Sequence, residues 1–133
     1  MKHALLFLAL LTSTLSSQAQ NDVQISSVDF VAVLNNHHAE ALYYYQNNWK
    51  ALRIAAVKKG YIASYQLLEI EPSEVTPYNF ILITTYANQA QYDARETHFE
   101  ELIQASGGLK LLNELKPEKF RQTVHGQDIV ISH

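Results

Sequence analysis

Cysteine is absent from the 133-residue chain. That excludes disulfides, thiolate metal sites, a cysteine nucleophile and a lipid attached through sulfur. Long apolar runs are also missing. The run over residues 4–11 falls well short of the roughly 20 residues a membrane-spanning helix needs. There is no basic block either. Lys50, Arg53, Lys58 and Lys59 come closest, and on a helical pattern they read as a solvated face. With 10 basic against 13 acidic residues, nucleic acid is not an expected partner, because phosphate binding needs clustered cations. The chain holds no Ser/His/Asp spacing, glycine-rich phosphate loop or HExxH pattern. No short-period repeat occurs.

The N-terminus has three parts: a basic start at Lys2, the apolar run, and a small polar stretch over 12–20. Ser17 and Ala19 supply the small residues a cleavage site requires at its −3 and −1 positions. The pattern predicts a signal peptide over 1–19 and one exported domain over 20–133, periplasmic or secreted, with no membrane association once mature. Without disulfides that domain stands on its core alone. Pairing with a second copy would bury one more apolar face.

The chain is organised around residues 78–103. A β-branched and aromatic run over 78–87 ends at Asn88, a natural helix cap. A helical pattern follows over 89–105, with Tyr92, Phe99, Leu102 and Ile103 on one side. Upstream, 28–34 reads as the first strand and 37–59 as the first helix. Leu42, Tyr45, Trp49, Leu52 and Ala56 form that helix's apolar stripe, and Gly60 stops it. Residues 61–70 read as the second strand and 71–77 as a Pro-bounded turn. A short helical turn is expected over 109–115, then a last strand over 120–131 with Gly126 as a turn or bulge.

Strand, helix, strand, strand, helix, strand is the ferredoxin-like βαββαβ order. It predicts an α+β sandwich: a four-stranded antiparallel sheet with two helices on one face. Large apolar residues occupy both faces of the predicted strands, so the sheet is expected to be covered on both sides. Two such sheets facing each other would make a closed barrel, and a homodimer is the expected assembly.

The chain resembles the dimeric α+β barrel superfamily, with its antibiotic-biosynthesis-monooxygenase-type, EthD-type, NIPSNAP-type and stress-responsive members. The residues that carry the resemblance are Gly60-Tyr61 leading into the second strand, and Thr84-Thr85-Tyr86-Ala87-Asn88 followed by Tyr92. Tyr86, Asn88 and Tyr92 fill the places where monooxygenase-type members carry a strand-end aromatic, a cap and a helix aromatic. The haem-degrading members use a helix histidine, a strand-end aromatic and a first-strand asparagine. Here His98 is displaced by about one helical turn, Tyr86 replaces tryptophan, and Asn35 lies at the strand's end. No cofactor is therefore expected.

Several residues could carry chemistry. His125, on the last strand near Arg121 and Asp128, is a candidate general base if it points inward and a surface residue if it points outward. His98 is a weaker catalytic candidate, since it falls among Asp93, Arg95, Glu96 and Glu100 on a polar helix face. His37 and Glu40 share a helix face, but two ligands make no metal site, and no metal is expected. Glu69, Glu71 and Glu74 flank a solvated loop. The tyrosines are the richer set. Phenol tips among Leu, Phe and Ile line many small-molecule pockets. Tyr61, Tyr65, Tyr86 and His125 are the expected ligand-binding residues.

Three functions follow. The first is binding of a small apolar or aromatic molecule between sheet and helices. The second, implied by the resemblance, is a cofactor-independent monooxygenase or isomerase. The third is an interaction module with a filled core. An open cavity with a histidine beside a tyrosine would point to the enzyme, and a cavity filled by side chains to the module.

Overall fold

The computed structural model describes residues 23–131. The expected signal segment lies outside the described residues. The sheet has four strands: β1 (Ile25–Val33), β2 (Ser64–Glu69), β3 (Phe80–Tyr86) and β4 (Arg121–Val130). Their order is β2-β3-β1-β4, and all pairings are antiparallel. This is the ferredoxin-like α+β topology expected from the element order.

The period of two along β3 separates its faces. Phe80, Leu82, Thr84 and Tyr86 are buried, and Ile81, Ile83 and Thr85 are half-buried. Register carries the division across the sheet. Val31 pairs with Phe80 and Asp29 with Leu82, facing the helices. Val28 pairs with Ile83 and Phe30 with Ile81, facing away. No helix covers that second face among the described residues, so the expectation of cover on both sides is not met within one chain.

The first helical run spans 38–58 as α1 (His38–Tyr44), a π turn (Tyr45–Trp49) and α2 (Lys50–Lys58). The π turn was not expected. Asn47 and Asn48 lie in it, and their side-chain amides donate to the carbonyls of Tyr43 and Tyr44, each at 2.9 Å. Those bonds compete with the ordinary helical ladder. Gly60 ends the run at φ +70°, a conformation glycine takes without Cβ strain.

The second helical run divides into α3 (Gln89–Asp93) and α4 (Arg95–Ala105). Asn88 caps α3, accepting from the Gln91 N–H at 2.8 Å. The break falls at Ala94, where Arg95 donates to the Tyr92 carbonyl at 2.9 Å. The helical turn expected over 109–115 does not form. The Lys110 N–H donates to Asn48 Oδ1 at 2.8 Å and the Lys110 carbonyl accepts from Asn48 Nδ2 at 2.7 Å. The Leu115 N–H is taken by Asn113 Oδ1. Backbone groups committed to these side chains are lost to a helix. A short 3-10 turn at Pro117–Lys119 leads into β4 instead.

Two clusters make the core. One gathers Val31, Ala41, Tyr45, Phe80, Leu82 and Phe120 under α1. The other gathers Ala56, Ile62, Tyr86 and Leu102 between α2, α4 and the sheet. The space between them is not filled.

Candidate functional site

An open cleft of about 690 Å³ occupies that space. Asp29 of β1, Leu82 of β3, and Arg121 and Thr123 of β4 form its floor. Tyr45, Trp49, Leu52 and Arg53 come from the helical run above it. Leu102, Ile103 and Leu109 close the far wall. The volume suits an organic molecule of ordinary size, and apolar walls with a few convergent polar groups are the usual lining of such a site.

Arg53 is the most constrained of these groups. Its guanidinium lies between two aromatic rings, 4.4 Å from the Trp49 centroid and 4.3 Å from that of Phe99. Its Nε donates to Thr84 Oγ1 at 3.2 Å. Stacking and the Thr84 bond fix the plane and leave the terminal amino groups for the cleft. Burial lowers its pKa to about 10, with Tyr86 and Asp29 opposing the shift, so it remains charged at neutral pH. The sequence alone places Arg53 on a solvated face with Lys50, Lys58 and Lys59. Those lysines are exposed, but Arg53 turns inward. It lies four residues after Trp49, on the same helix face, and stacks on that ring.

Arg121, at the start of β4, donates through Nη2 to the Tyr44 hydroxyl at 3.1 Å, with its guanidinium carbon 4.6 Å from that ring's centroid. Its Nε is buried and has no hydrogen-bond partner. A buried unpaired donor costs free energy. Beside it, burial pushes the Tyr45 phenol up to about 12, and the group stays neutral.

Asp29 faces this pair from the sheet. Partial burial raises its pKa, opposed by Arg53 and reinforced by Asp128. Its carboxylate fits across β4 because residue 126 is glycine. A Cβ there would stand 2.6 Å from Asp29 Oδ1. A neighbouring register pair fixes Asp128, whose carboxylate accepts from Ser27 at 2.8 Å and also from the Tyr92 hydroxyl. These bonds hold the Asp128 carboxyl below its usual range and fasten α3 to β4.

The four expected ligand-binding residues are not brought together. Tyr61 donates to Glu101 at 2.8 Å and stacks on His98, with ring centroids 3.6 Å apart. That pair lies outside the cleft, and His98 Nδ1 is buried without a partner. Tyr65 meets the edge of Trp49, at 6.1 Å between centroids, and otherwise lines a shallow depression on β2. Tyr86 is 3% exposed and stands behind Arg53. His125 projects from the exposed edge strand on the opposite sheet face, beside Phe30 and hydrogen-bonded to Gln127 at 2.9 Å. Of the remaining candidates, His37 lies 3.5 Å from Glu40, while His38 turns to Glu69 at 3.0 Å. Among the described residues no three His, Asp or Glu side chains converge as metal ligands. No described helix is long and apolar enough to cross a membrane.

The residues missed were Asp29, Arg53 and Arg121. One signal for Arg53 was its place four residues after Trp49, on the same helix face as the apolar stripe.

No family model matches this chain, and no curated protein matches it in sequence. Among solved structures it is similar to HapK from Hahella chejuensis, with a TM-score of 0.49, 12% identity, and coverage of 82% of this chain and 91% of that one. Likeness at that level says nothing of ligand or reaction.

Proposed function

We propose that this protein binds a small organic molecule in the cleft between its helices and its sheet, as an exported homodimer of the barrel type. The observation that carries the reading is the cleft itself. It is open, it is walled by Leu52, Leu82, Leu102 and Leu109, and two oriented guanidiniums enter it. The open volume weighs against the filled-module reading, which expects side chains to occupy it. The signal pattern over 1–19 supports export. The uncovered sheet face, with Val28, Phe30, Ile81 and Ile83 on it and Leu68 and Ile129 exposed beside them, supports pairing of two copies.

A second reading has one observation in its favour. Asp29 lines the cleft with a raised pKa, as a general acid or base would. No histidine lines the cleft to share that work.

Native mass spectrometry of the mature chain, recovered from the exported fraction, tests the proposal. A dimer that retains an additional small mass is the expected result. A clean mass, together with Trp49 emission that no apolar aromatic probe alters, would overturn it.

A further inference from the structure

The cleft's charge is opposite to that of the chain. The protein carries a formal charge of −3, yet Arg53, Lys59, Lys110 and Arg121 line the cleft against Asp29 as its one carboxylate. Lys59 is neutralised by Glu101, at 2.5 Å. Arg53 and Arg121 form no ion pair with any described carboxylate. Each is instead held by aromatic rings, Arg53 by Trp49 and Phe99 and Arg121 by Tyr44. Charged groups kept out of water are ordinarily paired. Two guanidiniums fixed by stacking, in no ion pair and faced by the single carboxylate of Asp29, make a prepared place for a planar anion, which the fork of arginine donors matches in geometry.

Resting on the pocket reading above, we infer that the ligand is an aromatic acid bound as its anion. Its acid group pairs with the guanidiniums of Arg53 and Arg121 that line the cleft. Its flat body lies against Trp49, Leu52 and Leu102. Tyr45, a neutral phenol at physiological pH, offers a further donor beside the acid group. Asp29 sets the limit on charge: a dianion would place a second negative group near this carboxylate, so a singly charged acid is favoured.

The test compares two fluorescent probes that differ by one acid group, anilinonaphthalene sulfonate and the uncharged phenylnaphthylamine. Trp49 is the chain's one tryptophan and lines the cleft. Energy transfer from it to either probe reports occupancy. The expected result is tighter binding of the sulfonate by about tenfold or more, the scale of one charge-assisted hydrogen bond. Arg53→Gln and Arg121→Gln should each remove most of that preference, and Arg121→Lys should restore part of it. A melt of each variant shows that it is folded. Should Arg53→Gln fail to fold, the Arg121 variants decide alone. Equal affinities in the unaltered protein overturn the anion inference and leave the cleft reading standing. No transfer to either probe overturns both. A preference that survives loss of either arginine overturns the assignment to these two side chains.

Discussion

Asp29 shows how a single residue can be set against its surroundings. Burial raises its pKa, and Asp128 adds to the rise, while Arg53 limits it. A carboxyl whose folded pKa exceeds its unfolded value binds its proton more tightly when folded. Its contribution is therefore most favourable at low pH and is lost as pH rises through the folded value. Asp29→Asn should raise the melting temperature near neutral pH, and the gain should shrink as pH falls towards the ordinary carboxylate range. Melts over a pH series check the sign. A gain that does not depend on pH would remove the titration from the explanation. Gly126 is tied to the same carboxylate. Gly126→Ala should destabilise by no more than about 1 kcal/mol, because the new methyl meets only the tip of the Asp29 side chain, which must turn aside. In an Asp29→Ala background most of that cost should vanish, because the 2.6 Å approach is to Asp29 Oδ1.

The π turn controls more of the site than its length suggests. Asn48 within it clasps both backbone groups of Lys110. Asn48→Ala should cost about 1 kcal/mol, the net value of an ordinary hydrogen bond. It should also weaken binding in the cleft, because residues 106–110 form part of its wall. Urea unfolding and probe titration would separate the two effects; a stability loss with unchanged binding would argue that the loop's position is set elsewhere. This element was legible only in part. A helix was expected over 37–59 and spans 38–58. Its internal shift was not foreseen, because an added residue leaves the apolar pattern almost intact. Tyr45, Trp49, Leu52 and Ala56 still read as one stripe, although the π turn between Tyr45 and Trp49 breaks the regular spiral. The expected turn over 109–115 failed for a related reason. Local propensity could not register that Asn48, far away in sequence, takes the Lys110 backbone.

Across the whole molecule the open question of shape is the uncovered sheet face. Val28 is 6% exposed there, shielded by its neighbours, but Leu68 and Ile129 are 40% and 42% exposed. A charge at the centre of this face would have to be desolvated in any sheet-to-sheet pairing. Ile83→Lys should therefore convert a dimer into a monomer while leaving the far-UV spectrum unchanged. Native mass spectrometry of both proteins decides it, and an unaltered chain that is monomeric at micromolar concentration would sink the paired-barrel reading. His125 and Phe30 lie on this same face, so in a paired barrel they would belong to the interface, with the cleft on the other side of the sheet.

Periodicity, with the caps and breakers between its runs, determined the order of the elements, and that order pointed to the topology. Alternation along 78–87 and the apolar stripes of the two helical runs depend only on which residues prefer to leave water, and burial follows that preference wherever the chain is regular. The Asn88 cap and the Gly60 stop are local chemistry and were equally visible. The site was decided by tertiary structure. Asp29 and Arg121 line one cleft because β1 and β4 pair at a register interrupted beside Phe30 and Val31. Arg53 is held there by Thr84 of β3 and Phe99 of the other helical run, and Gly126 matters because of a carboxylate on another strand. Those are relations between distant residues, fixed by register and packing, and no spacing along the chain encodes them.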